Sequence, residues 1–202
     1  MDTITMSDFR GLLERSELRR QRIILLSGEI DDITAHEFIE DMAILINSSK
    51  DPITIIITSP GGSAFAGLAI IRSIRHAQSL GIVVNGEVYG QAMSMAFFIL
   101  QCCDNRLMGE LCILMAHGVT TGFVGDMRNV DAEQKLMKLW QKELSRLVAE
   151  RCSAKGSEVC THEFWTEIMQ DNTPQFYSAK ESLEMGLIDK ICDINKRKET
   201  KS

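Results

Sequence analysis

The chain has few prolines, no long apolar run and no excess of positive charge. Only 3 of its 202 residues are Pro, and its longest apolar stretches reach roughly ten residues, short of the roughly 20 that a membrane-spanning helix needs. Its 22 Lys and Arg against 28 Asp and Glu give a net charge of −6, whereas a domain that neutralises phosphates carries a basic stripe. We therefore expect neither a membrane nor a nucleic acid as a partner.

The chain also lacks the cysteine and leader patterns of secreted proteins. None of its 6 cysteines forms a C-x-x-C pair, and residues 1–22 mix both charge signs without an apolar run. These features predict a cytoplasmic protein with reduced thiols. Cys152, Cys160 and His162 fit no standard zinc spacing, so we expect no metal site and no cofactor.

The composition is that of an ordinary globular domain. Hydrophobic residues make up 45% of the chain and charged residues 25%, which is enough apolar surface for one core and excludes a disordered polypeptide. We expect an N-terminal segment over residues 1–20, a single domain over residues 21–193, and a charged tail over residues 194–202.

Short apolar strands alternate with helical patterns along this domain. The predicted strands cover residues 23–26, 53–58, 82–89, 111–116 and 187–192. Helices are predicted between them, for example over residues 65–80 and 93–103, and a longer helix with one apolar stripe is predicted over residues 126–151. Strands that are continuously apolar indicate an α/β domain in which helices cover a sheet that is at least partly parallel.

Three features could carry chemistry, although each has a plain structural explanation. Ser94 opens a predicted helix, where free N–H groups could stabilise an acyl-transfer oxyanion, but serine is also a preferred N-cap. His117 ends an apolar strand, a usual place for a general base or for a merely hydrogen-bonded histidine. The glycines of Pro60-Gly61-Gly62 let N–H groups approach a ligand, or they simply form a tight turn.

Four ordered motifs combine into a more specific signal. They are ITSPGGS at residues 57–63, GQAMSM at residues 90–95, MAH at residues 115–117, and FYSAKE at residues 176–181 with MGLID at residues 185–189. Together they resemble the proteolytic subunit of the Clp protease, over about residues 22–191. The resemblance implies a Clp/crotonase-type α/β spiral of β-β-α units, in which residues 126–151 form a protruding handle helix.

The resemblance also implies an activity. The chain would be a serine endopeptidase in which Ser94 attacks the peptide carbonyl, His117 transfers the proton, and the N–H groups of Gly62 and Met95 bind the oxyanion. Its subunits would form stacked heptameric rings, joined through the handle helix and residues 122–125. The rings would enclose the sites and receive unfolded polypeptides from an AAA+ unfoldase that hydrolyses ATP.

Two segments depart from the family pattern. Pro174 occupies the position of the family's third catalytic residue, an Asp. We hypothesise that Asp171, just upstream, orients His117 instead, with Asn172 as the alternative. At the N-terminus, the family's apolar and extended pore hairpin is replaced by residues 1–20, which are polar and helix-prone.

Two other functions stay open at this point. Pro174 is compatible with a ring subunit that keeps the family's shape but has weak or no activity. A crotonase-type acyl-CoA enzyme would share the spiral and a pair of oxyanion-binding N–H groups, but it would not need Ser94 paired with His117.

Overall fold

One sheet of seven strands organises the part of the chain that this computed structural model describes, residues 14–119, 130–171 and 173–192. The strands are β1 (Ile23–Ile30), β2 (Ile53–Gly62), β3 (Val84–Met93), β4 (Asn105–Gly109), β5 (Ile113–Ala116), β6 (Gln175–Ser178) and β7 (Lys190–Cys192). The order β1-β2-β3-β4-β7 is parallel throughout, β5 pairs parallel with β3, and β6 pairs antiparallel with β5. The predicted α/β class with a largely parallel sheet is confirmed.

Helices connect these strands. Residues 14–20 are helical and are called α1 here. The others are α2 (Asp32–Ser48), α3 (Ala64–Ser79), α4 (Met95–Gln101), α5 (Val130–Ser153), α6 (His162–Asp171) and α7 (Ala179–Glu184). None of the helices in the described residues is long and apolar enough to cross a membrane.

Local sequence explains where several of these helices begin. Asp31 caps α2 by accepting a hydrogen bond from the Thr34 N–H at 2.7 Å, and Ser63 caps α3 by accepting one from the Ala66 N–H at 3.3 Å. Ser178 forms a capping box with Glu181 at the start of α7. Each cap satisfies an N–H that would otherwise have no partner in the first turn.

The largest differences from the sequence prediction concern the end of β3 and two short strands. β3 continues through Gly90 to Met93, where the sequence pattern had already predicted helix, because residues 91–93 pair with β5. The strands β4 and β6 were not predicted, since both are short and contain polar residues. Pairing with β3 and β7 stabilises β4, and pairing with β5 stabilises β6. This pairing outweighs the weak intrinsic strand preference of the two segments.

Some predicted segments lie outside the described residues. They are residues 1–13, the strand-like segment over 122–125, the first four residues of the predicted 126–151 helix, Asn172 and the tail from residue 194. The rest of the predicted long helix is present as α5, and the helix-prone end of the N-terminal segment is present as α1. Arg15 and Arg19 of α1 both donate hydrogen bonds to the carboxylate of Asp41, a buried residue of α2.

The sheet is buried on one face and half-exposed on the other. In β2 the alternate residues Ile53, Ile55 and Ile57 are fully buried, while Thr54 and Ile56 between them are only partly buried. In β1, Leu25 is 52% exposed. The continuously apolar strands predicted a sheet with both faces covered. In the described part of the chain, one face is covered and the other is half-exposed.

A buried ion pair joins β4 to the segment that precedes β7. The side chain of Arg106 is 0% exposed, and its Nη2 lies 2.9 Å from Asp189 Oδ1. Its Nη1 donates to Gln101 Oε1 at 2.7 Å, at the end of α4. Burial acts to raise the pKa of Asp189, but hydrogen bonds from Arg106 and Lys155 outweigh it and hold that pKa well below its usual range.

Asp189→Asn is expected to destabilise the fold by about 3–5 kcal/mol at neutral pH, because it leaves the buried Arg106 charge without a counter-charge. A carboxylate with a lowered folded-state pKa stabilises fully above the unfolded pKa of about 4. The stabilisation from Asp189 is lost as the pH falls through the pKa of this carboxylate in the folded state. Urea unfolding should therefore show a constant difference between wild type and variant from pH 7 to pH 5, which narrows only under strongly acidic conditions.

Glu184→Gln is the matched control, because Glu184 belongs to an exposed pair with Lys180. Its removal should change stability by less than about 1 kcal/mol. Equal stability of Asp189→Asn and wild type at pH 7 would contradict the role given to the ion pair.

Candidate active site

Two neighbouring parallel strands bring Ser94 and His117 to the same edge of the sheet. β3 pairs with β5 in a register that places Met93 beside Met115. The Ser94 N–H continues this ladder by donating to the Met115 C=O at 2.8 Å. Both strands run in the same direction, and they end side by side. Ser94 follows the end of β3, and His117 follows the end of β5.

The thiol of Cys112 supports the point where β3 changes partners. β4 pairs with β3 only as far as Val88, and β5 begins its pairing at Gln91. In the gap, Cys112 Sγ accepts a hydrogen bond from the Gly90 N–H at 3.0 Å and donates one to the Val88 C=O at 3.2 Å. The thiol thus satisfies two backbone groups of β3 and keeps β5 beside the strand that leads to Ser94.

The backbone of Ser94 is strained. Its φ of 52° and ψ of −121° lie in a region that residues other than glycine rarely adopt, at a cost of about 1–3 kcal/mol. Ser94 occupies the N-cap position of α4, yet its side chain makes no capping hydrogen bond. The interpretation as a plain N-cap therefore does not account for this residue. A similarly strained strand-to-helix turn exposes the nucleophilic serine of α/β-hydrolases.

The turn at residues 60–62 packs directly against the Ser94 turn. Gly61 has a φ of +94°, and a Cβ built on it would lie 2.6 Å from the Met93 carbonyl oxygen and 2.7 Å from Ser94 Cβ. It would also lie 2.9 Å from the Met95 backbone nitrogen. Only a residue without a side chain fits here, because backbone atoms on the opposite side cannot move away cheaply.

This contact brings the two predicted oxyanion donors into one neighbourhood. Met95 opens α4, so its N–H belongs to the first turn of a helix, where backbone N–H groups have no partner within the helix. Gly62 follows Gly61, whose own N–H donates to Ser59 Oγ at 3.0 Å. The Gly61 N–H is therefore already bonded to the Ser59 hydroxyl. The sequence hypothesis assigns the N–H of Gly62 as the oxyanion donor of this turn.

A second glycine holds Met95 in place. A Cβ on Gly67 in α3 would lie 2.2 Å from Met95 Cγ and 2.9 Å from Met95 Sδ. The Met95 side chain, 4% exposed, therefore packs on the surface that this glycine leaves open. The first turn of α4 is thus held by α3 through Gly67 as well as by the turn through Gly61.

Pro174 precedes β6, the strand that pairs with the one leading to His117. β5 and β6 are antiparallel, with Ala116 paired to Gln175, so the next step of the register sets His117 opposite Pro174. His117 is partly buried. Among the described residues, no hydrogen bond joins the side chains of His117 and Ser94, a bond that often forms fully only with substrate bound.

Asp171 is the last residue of α6 and is exposed. Two residues separate it from Pro174, so three Cα–Cα steps limit the distance between their Cα atoms to roughly 10 Å. In the described part of the chain, no hydrogen bond or ion pair connects Asp171 to His117. Its role as the orienting acid stays a prediction, and the alternative, Asn172, lies outside the described residues.

The buried cysteines are poor alternatives to Ser94 as a nucleophile. Burial raises the pKa of Cys102 to about 11. Burial, together with the neighbouring Cys160, raises the pKa of Cys152 to about 12. Both groups are therefore thiols rather than thiolates at neutral pH. Among residues 14–119, 130–171 and 173–192, no three His, Cys, Asp or Glu side chains form a cluster that could hold a metal ion.

Sequence reasoning missed two supporting residues of this site and one backbone angle. Ser59 and Cys112 act through hydrogen bonds to backbone groups that come close only in the folded sheet. No sequence pattern predicts these bonds. The left-handed φ of Ser94 was also unforeseen, because β3 was predicted to end before Gly90.

Comparison with known proteins shows which family this chain belongs to. The Clp protease family matches residues 10–195. The chain belongs to the Clp protease family. The serine-type protease class and the α/β fold expected from the four motifs are therefore confirmed at the level of the family, whereas the protruding handle stays a prediction.

Individual members of the Clp protease family are similar to this chain over most of its length. The chain is 33% identical over 192 residues to "ATP-dependent Clp protease proteolytic subunit 2" of Chlamydia trachomatis serovar D, covering 92% of this chain and 87% of the relative. It is 32% identical, with the same coverage, to the protein of that name from Chlamydia muridarum. Proteolytic subunit 1 of Chlamydia felis is 30% identical over 192 residues, again covering 92% of this chain and 87% of the relative.

Gly61→Ala should reduce peptide hydrolysis by about 100-fold or more, which is the typical loss when one oxyanion donor is removed. The new methyl group would push the turn away from the Met93 carbonyl and the Met95 nitrogen. Gly81→Ala is the matched control, since Gly81 has a φ of +78° but nothing within 4 Å of a Cβ. Hydrolysis rates measured on a short fluorogenic peptide should fall in the first variant only, and equal rates would contradict the packing argument.

Proposed function

We propose that the chain is a serine endopeptidase subunit with Ser94 as the nucleophile. The Ser94 hydroxyl attacks the carbonyl carbon of a peptide bond while His117 accepts its proton. His117 then gives this proton to the leaving amine, and the acyl group stays on Ser94. Water, deprotonated by His117, attacks the acyl-enzyme, releases the second product and restores the Ser94 hydroxyl.

The observation that carries this proposal is the contact of Gly61 with the Ser94 turn. Ser94 has a strained backbone and makes no capping hydrogen bond. The contact of Gly61 places it beside the backbone of Gly62 and Met95. In the hypothesis, the N–H groups of these two residues bind the developing oxyanion. The neighbouring strand end supplies His117. A tetrahedral intermediate needs a nucleophile, a base and preorganised donors together, and these elements of the fold converge here.

Pro174 favours a second candidate, a ring subunit with weak or no activity. Proline carries neither a carboxylate nor an N–H, so at the place opposite His117 it cannot orient an imidazole. Loss of the orienting acid typically lowers kcat about 10⁴-fold. If Asp171 performs this role, the first candidate holds; without any acid, the site would turn over very slowly.

We further propose that the subunits assemble into stacked heptameric rings. The half-exposed face of the sheet, with Leu25 at 52% and Tyr89 at 51% exposure, supports burial against another copy of the chain. Leu139 on α5 is 55% exposed, which supports a contact between rings through this helix. The substrates would be unfolded polypeptides in the cytoplasm, delivered by an ATP-driven unfoldase, as the word "ATP-dependent" in the relatives' names suggests.

A fluorophosphonate probe should label Ser94 of the assembled protein, since this reagent needs a hydroxyl activated by a base and an oxyanion hole. Peptide mass spectrometry locates the adduct. We expect one adduct on Ser94 that disappears in His117→Ala and persists in Ser73→Ala, a variant of a serine whose hydroxyl bonds within α3. No adduct on the folded oligomer would reject the active-peptidase proposal and favour the inactive subunit.

Asp171→Asn should lower kcat by about 10⁴-fold with little change in KM, if this carboxylate orients His117. Glu167→Gln, at another exposed acid of α6, is the control and should leave kcat unchanged. Intact turnover in Asp171→Asn together with its loss in Asn172→Ala would assign the role to Asn172. Pro174→Asp separates the two candidates: it should raise kcat strongly only if the natural chain has no orienting acid.

A further inference from the structure

We infer that Ser59 is a positioning residue for the oxyanion hole, an inference that rests on the proposed peptidase function. Its hydroxyl accepts a hydrogen bond from the Gly61 N–H at 3.0 Å, and the residue is 0% exposed. Ser59 lies where β2 shifts its register against β3, with Ser59 paired to Ala92 beyond the irregularity. The bond therefore lies inside the sheet, immediately before the turn that meets Ser94.

The hydroxyl adds a constraint to a turn whose two glycines also pair with β1, Gly61 with Glu29 and Gly62 with Ile30. Pro60 has a fixed φ, but Gly61 and Gly62 both have positive φ values, +94° and +150°. Glycine backbones have no Cβ to restrict them. With the Gly61 N–H bonded to Ser59, the Pro60–Gly61 peptide plane is held. The next peptide plane, which carries the Gly62 N–H, starts from this fixed position, and its remaining rotation is limited by the pairing of Gly61 and Gly62 with β1.

Removal of the hydroxyl would leave the Gly61 N–H without its partner in a buried position. Unpaired buried N–H groups are costly, so the peptide is expected to rotate in search of another acceptor. Rotation toward Ser94 is blocked, because the Met93 carbonyl and the Met95 nitrogen already lie close to Gly61. The turn would move away from Ser94 and carry the Gly62 N–H with it.

A displaced oxyanion donor affects the transition state more than the bound substrate. The oxyanion forms only during reaction, so a donor aimed at it lowers the barrier without strengthening ground-state binding. Ser59→Ala is therefore expected to lower kcat about 10- to 100-fold, less than or equal to the effect of deleting a donor, with KM within about twofold of wild type.

The experiment compares wild type, Ser59→Ala and Ser59→Thr, which keeps the hydroxyl, as purified oligomers. Hydrolysis of a fluorogenic peptide gives kcat and KM. Inhibition by a peptide aldehyde, whose hemiacetal oxygen mimics the oxyanion, is compared with inhibition by the corresponding product peptide. Ser145→Ala is the matched control, since Ser145 is also 0% exposed but its hydroxyl donates to the Gln141 carbonyl within α5.

The inference predicts that Ser59→Ala loses aldehyde affinity by the same factor as kcat and keeps its affinity for the product peptide. Ser59→Thr and Ser145→Ala should stay near wild type. Unchanged kcat in Ser59→Ala, or equal losses for aldehyde and product peptide, would overturn it. If Ser59→Ala does not fold, Ser59→Cys gives the same comparison with a weaker acceptor. Wild type without hydrolysis and without a Ser94 adduct would instead reject the proposed function itself.

Discussion

The absence of a side chain at Gly61 is the constraint on which the candidate site depends. Backbone atoms of Met93 and Met95 and the Cβ of Ser94 occupy the space that a Cβ on Gly61 would need. The end of β2 and the start of α4 can therefore touch through backbone alone. From this contact follow the position of the predicted oxyanion donors, the fixed strand-to-helix turn at Ser94 and the packing of Met95 on Gly67.

The parallel pairing of β3 with β5 adds the second part of the site. A parallel sheet collects the carboxyl ends of its strands at one edge, which is where binding and catalytic groups of α/β proteins usually lie. Here that edge holds the residue after β3 and the residue after β5, Ser94 and His117. β6 brings Pro174 toward the same edge by antiparallel pairing, so the departure from the family pattern follows the strand pair that leads to His117, the proposed general base.

Much of this arrangement could be predicted from the sequence, because its signals are local or belong to recognisable motifs. Apolar runs identified β1, β2 and β5, and the order of motifs identified Ser94 and His117 together. The short strands β4 and β6 could not be predicted, since Asn105–Gly109 and Gln175–Ser178 owe their conformation to distant partners. The hydroxyl of Ser59 and the thiol of Cys112 were missed for the same reason, since their partners are backbone groups set by tertiary structure.

The central claim is that Ser94, His117 and the N–H groups of Gly62 and Met95 act on one tetrahedral intermediate. A crystal structure of the assembled protein treated with a peptide boronic acid tests it directly. We predict a boron atom bonded to Ser94 Oγ, one boronate oxygen within hydrogen-bonding distance of the Gly62 and Met95 nitrogens, and another beside His117. Boron bonded to any other residue, or a boronate oxygen directed away from both nitrogens, would contradict the account.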